Sequence, residues 1–363
     1  MDVWQSTLED MVINRPFWQG KRVFLTGHTG FKGGWLALWL ADMGAEVCGY
    51  ALAAPTEPNF FTATRLERYL TQHTQGDIRD ATALTTSLQQ SGAEIVFHLA
   101  AQPLVRHSYT EPVETYRTNV MGTVNLLEAV RKTPTVKAIV NITTDKCYEN
   151  REWAWPYREN EALGGYDPYS SSKACAELVT ASYRNAFLQK TGTQLASARA
   201  GNVIGGGDWA NDRLVPDFLR SMDAKQTITI RSPQAVRPWQ HVLEPLSGYL
   251  MLVEKLYEGG ESFAEAWNFG PDENDTRSVQ WIIEYLGQQI PGMDWRRDTQ
   301  TQPHEANTLR LDSTKAKTRL HWCPRWSLSA ALDHTLKWHQ AWKTSADMAD
   351  ISLAQIQAYE AET

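Results

Sequence analysis

The chain has 363 residues, 42% of them hydrophobic and 21% charged, which excludes a disordered polymer and leaves room for two lobes around a shared core. Its net charge of −7 argues against a general nucleic-acid binder, so an anionic ligand must be met by local cations or backbone N–H groups. The longest apolar run, around Trp35 to Ala41, is far too short to cross a bilayer, so no membrane partner is expected.

Taken in order, residues 1–16 read as an N-terminal arm whose acids and missing apolar stretch do not fit a secretory signal. KRVFLT (21–26) is a short apolar run ending at a glycine, hence a buried strand. Phe31, Trp35, Leu38 and Trp39 recur at helical spacing over 31–43, and AEVCGYAL (45–52) reads as the next strand. Further strands are expected at 72–76, 94–100, 137–143 and 195–200, separated by helices at 80–91, 113–132 and 168–190. This alternation predicts an α/β fold of the Rossmann type, a doubly wound parallel sheet with helices on both faces. Beyond residue 200 the chain becomes richer in Gly and Pro. Helices are expected near 211–222, 243–258, 278–288 and 327–343, in a smaller mixed α/β substrate lobe spanning 201–363. The boundary is soft, with some segments expected to fold back on the first lobe. Fifteen tryptophans hint at stacking on sugars or bases, but their large apolar area favours the core. Cys48, Cys147, Cys175 and Cys323 form no CxxC pair, so no metal site and no disulfide framework is expected, and a reducing cytoplasm fits.

Gly27, Gly30 and Gly33 follow the first strand and open the first helix. There the first glycine permits the turn, the second lets backbone approach a pyrophosphate, and the third lets helix and strand close up. No acid stands at the end of the second strand to grip a ribose. Tyr50, Ala51 and Leu52 occupy that place, with no Arg for a 2′-phosphate either. NAD is therefore expected over NADP, weakly held. Asp77 follows the third strand, either to meet an adenine or as a turn or helix-capping residue. Tyr169 and Lys173 stand at i and i+4, one face of a helix. A Lys about 4 Å from the phenol at an effective dielectric of about 20 is worth about 4 kcal/mol, enough to bring a Tyr toward neutrality as a general base.

LTGHTGFKG (25–33), GDIRD (76–80), HLAAQ (98–102), Asn119 in YRTNVMGT (116–123) and the Tyr169/Lys173 pair occur in an order that resembles the extended short-chain dehydrogenase/reductase family, sugar-nucleotide branch. The resemblance covers nearly the whole chain. It implies an NAD site built from Gly27, Thr29, Gly30, Phe31, Lys32, Gly33, Asp77, Ile78, Leu99, Ala100, Ala101, Asn119, Tyr169 and Lys173. Thr144-Asp145-Lys146 is similar to the triad of the 4,6-dehydratases, with Lys146 where most members have Glu, a pattern of the CDP-glucose-specific subfamily. The resemblance implies that Thr144 holds the sugar 4-hydroxyl, that Asp145 protonates the departing 6-hydroxyl, and that the third residue acts at C5. It further implies substrate contacts from Asn202, Arg213, Leu214 and Arg237, within a stretch of five cations between 213 and 237. HEANTLRLD (304–312) is similar to a late segment closing over the nucleotide. The implied activity is NAD-dependent dehydration of CDP-glucose to CDP-4-keto-6-deoxyglucose, a dideoxyhexose precursor for bacterial surface polysaccharide. The implied assembly is a homodimer or homotetramer through the 113–132 and 168–190 helices. Another nucleotide-sugar 4,6-dehydratase, or a 4-epimerase of the same family, is the rival reading. An epimerase needs Tyr and Lys but no acid that expels water. A fold kept only to sense a cofactor would have no need of either residue.

Overall fold

The computed structural model describes residues 13–290, 294–299 and 308–362. Most of the expected N-terminal arm and the start of the 304–312 segment lie outside the described residues. Numbering strands and the longer helices in chain order, the first lobe runs β1 (Arg22–Thr26), α1 (Phe31–Asp42), β2 (Glu46–Ala51), β3 (Gln72–Gln75), α2 (Ala81–Ser91), β4 (Ile95–His98), α3 (Gly122–Arg131), β5 (Ala138–Ile142), α4 (Pro168–Tyr183) and β6 (Gln194–Ala200). The second half adds β7 (Asn202–Ile204), α5 (Leu214–Asp223), β8 (Ile228–Ile230), β9 (Val236–His241), α6 (Leu243–Tyr257), β10 (Ala266–Phe269), β11 (Thr276–Ser278), α7 (Val279–Gln289), β12 (Trp295–Arg297), α8 (Leu328–Lys343) and α9 (Met348–Ala361).

The main sheet has seven strands in the order β10-β6-β5-β4-β1-β2-β3, all parallel. Its central strands are largely apolar and buried because helices cover both faces. Alternate residues still go to opposite sides. Val23, Leu25, Ile95, Phe97 and Val140 join one core, while Phe24, Val96 and Ile139 join the other. Trp18, Trp35, Trp39, Trp267, Trp322 and Trp338 are fully buried and Trp239 and Trp326 nearly so, which places eight of the fifteen tryptophans in the core. The smaller lobe gathers Phe218 of α5, Ile230 of β8, Ile282 of α7 and Leu332 of α8 into a core of its own. It adds a three-stranded sheet, β11-β9-β7, and a two-stranded one, β12-β8.

Two segments of the second half belong to the first lobe's sheet. β10 pairs with β6, and α6 is buried nearly all round in the core that also holds β1 and β5. The short strands after β6 and helix α9 were not expected. Three-residue strands carry too little period to register, and α9 mixes apolar and polar residues with almost no preferred face. The 113–132 helix is interrupted by a π-turn over Arg117–Met121, and regular helix α4 stops at Tyr183 before a π-turn to Leu188.

The closest backbone approach lies at the start of α1. A Cβ on Gly33 would sit 2.2 Å from the Gly27 carbonyl oxygen, whereas one on Gly30 would meet nothing nearer than 3.4 Å. Gly33→Ala should therefore cost about 2–4 kcal/mol in a urea titration, because backbone must move to admit the methyl. Gly30→Ala should change the same titration by no more than about 1 kcal/mol. Equal effects of the two would show that close helix docking does not limit this corner.

Candidate active site

The carboxyl ends of β1, β4 and β5 open into a cavity of about 1120 Å³ at the point where strand order reverses. Gly27 follows β1 with a positive φ of 83°, and a Cβ there would come within 2.7 Å of the Ala100 nitrogen. The β4 end is held by Thr26, whose Oγ1 is 2.7 Å from His98 Nδ1 and accepts from the Ala100 N–H at 3.2 Å. These contacts set Leu99, Ala100 and Ala101 along one wall. α1 points its N-terminus at the cavity. Gly30 caps it with no side-chain hydrogen bond, and no acid stands in its first turn. Such a helix end, framed by glycines, suits the pyrophosphate of a dinucleotide.

The residues of the implied NAD site line this cavity from Gly27, Thr29, Gly30, Phe31, Lys32 and Gly33 through Asp77, Ile78, Leu99, Ala100 and Ala101 to Tyr169 and Lys173, with Asn119 excepted. Asn119 is buried behind the wall. Its Oδ1 accepts from the Gln102 N–H at 2.8 Å, and its Nδ2 donates to the Gln102 carbonyl and to Ser172 Oγ. It clamps the strand end to the helix carrying Tyr169 and lines no part of the cavity itself. Thr29 spends its hydroxyl on the Leu52 carbonyl at 2.9 Å. At the end of β2, the Tyr50 ring lies beneath Gly76 and its hydroxyl donates to the Asp77 carbonyl. A ribose-gripping acid is thus replaced by a tyrosine that pins the neighbouring turn. Asp77 is no helix cap, since Asp80 caps α2. Its carboxylate holds the Arg79 guanidinium and backbone N–H, and that hydrogen bonding keeps it below the usual carboxylate range.

Thr144, Asp145 and Lys146 leave the tip of β5, and Tyr169 and Lys173 face them from α4. Asp145 is only 1% exposed, so the pair Asp145-Lys146 is no surface ion pair. Thr144 donates to Asp145 Oδ1 at 3.0 Å, while Oδ2 has no hydrogen-bond partner. Burial raises the Asp145 carboxyl above its ordinary range, against the opposing pull of Lys146, the Thr144 hydroxyl, Arg237 and Lys32. Tyr169 departs from expectation. Burial pushes its phenol up to about 12, opposed by a hydrogen bond with Thr144 and the charge of Arg213. Lys173 instead donates to the Ile142 carbonyl at 3.2 Å and does not act on the phenol as the helical spacing suggested. Burial lowers Lys173 to about 8. Lys32 reaches further than a cofactor-loop residue need. Its amine approaches the Tyr249 hydroxyl at 3.5 Å, and burial followed by the charges of Arg213 and Lys173 lowers it to about 7.

Asn202, Arg213, Leu214 and Arg237 line the far side of the cavity. Arg213 donates to Asp208 at 2.8 Å, and Arg237, 8% exposed on β9, donates to the Val236 carbonyl. Sequence reading missed a bridge over the mouth. The Asp212 carboxylate meets Arg106 of the first lobe at 3.0 Å and Arg231 of the second at 3.2 Å. No local pattern links positions so far apart along the chain. Among the described residues, no three His, Cys, Asp or Glu side chains gather to hold a metal ion, and no helix is long and apolar enough to cross a membrane.

The family model described as GDP-mannose 4,6 dehydratase matches residues 24–335. A CDP-glucose 4,6-dehydratase from Salmonella typhimurium is 55% identical over 359 residues, covering 97% of this chain and 99% of that protein. A dTDP-glucose 4,6-dehydratase from Streptomyces griseus is 28% identical over 332 residues, covering 88% and 95%. Among solved structures, a dTDP-glucose 4,6-dehydratase from Streptomyces venezuelae, solved with NAD bound, superposes with a TM-score of 0.77 at 23% identity, covering 90% of this chain and 99% of that one. A UDP-glucose 4-epimerase from Thermotoga maritima, solved with UDP-glucose, gives 0.75 at 24% identity, covering 89% and 99%. At those identities the superpositions speak for the fold, whereas the match over residues 24–335 and the 55% relative speak for descent. The chain belongs to the GDP-mannose 4,6 dehydratase family, within the NAD-dependent epimerases and dehydratases of sugar nucleotides.

Proposed function

We propose that this protein is an NAD-dependent CDP-glucose 4,6-dehydratase, forming CDP-4-keto-6-deoxyglucose and water. The observation that carries the reading is Asp145, a carboxyl raised by burial, with one oxygen unpartnered inside the cavity. A 4-epimerase has no use for such an acid. The CDP-glucose specificity rests on the 55% identical relative.

The uncapped end of α1 and the glycine loop would hold the pyrophosphate of NAD, Asp77 and Ile78 its adenine side, and Tyr169 and Lys173 its nicotinamide side. Bound NAD supplies the acceptor, and later the donor, of one hydride in a cycle with no net redox change. Tyr169 takes the proton of the sugar 4-hydroxyl, and the cation at hand to lower its phenol is Arg213, while Lys173 serves the nicotinamide side as an ammonium. Thr144, hydrogen-bonded toward both Tyr169 and Asp145, orients that hydroxyl. Asp145, whose carboxyl burial raises, delivers its proton to the leaving 6-hydroxyl. Lys146 acts at C5, either by removing its proton or by steadying the enolate with its charge. Asn202, Arg213, Leu214 and Arg237 hold the nucleotide diphosphate, the arginines by bidentate contact. The four cysteines are unpaired, which accords with work in the cytoplasm. Helix residues Val113, Met121, Leu178 and Phe187 are 62%, 50%, 60% and 42% exposed, a row of large apolar groups suited to a helix bundle with a second copy.

Incubation with CDP-glucose and NAD should give a 4-keto-6-deoxy sugar. A 4-epimer as the sole product would reject dehydration in favour of the rival. Asp145→Asn should lose that product while still washing solvent deuterium into C5 of recovered substrate. Lys146→Met should lose both signals, and a near wild-type turnover by either variant rejects its assigned role.

The same acid predicts a pH-dependent stability difference. A folded carboxyl raised above its unfolded value favours the folded state when protonated and burdens it when ionised. Asp145→Asn should therefore melt higher than the parent at pH 8. The gain should vanish as pH falls below the ordinary carboxylate range, where the parent is neutral in both states. Thermal melts that run parallel at every pH would contradict it.

Sedimentation of the parent should show an oligomer at micromolar concentration, and the double variant Met121→Glu/Leu178→Glu should sediment as a monomer. A monomeric parent would reject the helix-bundle interface.

A further inference from the structure

Behind the cavity wall, on the face of α4 one turn beyond Lys173, lies Glu177, 3% exposed and outside the cavity. Both of its oxygens are engaged. Thr143 donates to Oε1 at 2.5 Å, while Ser197 and Arg199 donate to Oε2 at 2.7 and 2.8 Å. One carboxylate thus joins α4, the tip of β5 and strand β6. Thr143 directly precedes Thr144, and its own N–H donates to the Ala198 carbonyl of β6 at 2.9 Å. The neighbouring Ile142 carbonyl is the acceptor of the Lys173 amine at 3.2 Å. The β5 tip that presents Thr144 and Asp145 is therefore held from below by Glu177 and from the side by Lys173.

We propose that Glu177 is a positioning residue for the reaction, seating the β5 tip through Thr143 and supplying the buried countercharge that keeps Lys173 an ammonium. This rests on the roles given above to Thr144, Tyr169 and Lys173. The spacing is i to i+4 on one helix, which places the two side chains on the same face. Arg199 shares the Glu177 charge but is committed elsewhere as well. It donates to the Tyr148 hydroxyl at 2.8 Å and to the Glu159 carbonyl at 3.0 Å, which directs the guanidinium away toward the 148–159 segment. The groups facing Lys173 are Glu177 and Tyr169 on its own helix, Cys147 after β5, Lys32 on α1 and His98 on β4. Those facing Glu177 also include Arg199, Arg184 and Cys147. Burial lowers the Lys173 amine, and among these groups Glu177, ahead of Cys147, opposes it.

The sign follows directly. Lys173 is charged below its folded value of about 8, and turnover that needs the ammonium is lost as pH rises through that value. Removing the Glu177 charge leaves burial and the cation Lys32 to lower Lys173 further. The test is the pH profile of kcat with CDP-glucose for the parent, Glu177→Gln and Glu177→Asp. The glutamine variant should lose about ten-fold in kcat at pH 8 and shift the basic limb toward acid by about one unit, with KM little changed. The aspartate variant, which keeps the charge, should keep the parent's basic limb. A Glu177→Gln profile that is only scaled down, with its limbs in place, overturns the proposal even while the parent continues to make the 4-keto product. Thr143→Val removes the hydroxyl while keeping the Glu177 charge and its bonds to Ser197 and Arg199, and serves if the glutamine variant does not fold. It should lower kcat by about ten-fold without moving the basic limb, and a parental kcat in Thr143→Val likewise overturns the proposal.

Discussion

The corner where β1 turns into α1 leaves no room for a side chain. A Cβ at position 33 would fall 2.2 Å from the Gly27 carbonyl oxygen, and one at 27 would fall against Ala100. Because both positions are glycine, helix, turn and the β4 end draw together to backbone contact. From that contact the rest of the site follows. The helix presents its uncapped N-terminus to the cavity, the β4 end forms its wall, and Lys32, on the first turn of α1, is carried inward toward Asp145 and Lys173. The three-way link among Thr26, His98 and Ala100 then fixes the two strand ends in register.

The catalytic side is built on an unfavourable arrangement. A carboxyl with an unpartnered oxygen and three amines, those of Lys32, Lys146 and Lys173, are collected at the tips of β1, β4 and β5. Burial of a charge without a full set of partners destabilises a fold and shifts proton affinity toward neutral forms. The shifts at Asp145, Lys32 and Lys173 all run in that direction. The apolar cores on both faces of the sheet offset the cost, and the Glu177–Arg199 pair is a buried charge pair satisfied on both sides. Reactive and structural charges are thus a single helical turn apart on α4, distinguished by how completely each is hydrogen-bonded.

The two lobes are less separate than chain order suggests. α6 and β10, which come after the first segments of the smaller lobe, complete the core and the edge of the main sheet. The substrate wall carried by α5, β7 and β9 is therefore tethered on both sides to the lobe that would hold the cofactor. The Arg106–Asp212–Arg231 bridge crosses the same divide at the cavity mouth.

Much of this was legible in the sequence. A parallel sheet buried on both faces writes most of its strands as largely apolar runs, β3 excepted, and the strands from β1 to β6 could be placed within a residue or two, while the glycine spacing marked the turn into α1. Local motifs likewise located Thr144-Asp145-Lys146, Tyr169/Lys173 and the glycine-loop side of the cavity wall. Tertiary structure alone decided the rest, because it depends on contacts between distant segments. Three-residue strands such as β7 and β8 exist only through their partners, and the second-half strand β10 finds its place beside β6. The helical spacing of Tyr169 and Lys173 was read correctly, yet the conclusion that Lys173 would lower the phenol was not. Spacing gives a shared helix face, but the depth of burial and the pull of the Ile142 carbonyl on the amine are set by β5, which no local pattern on α4 encodes. For the same reason Asn119 proved to be a clamp behind the cavity wall, and Lys32 a neighbour of the catalytic carboxyl.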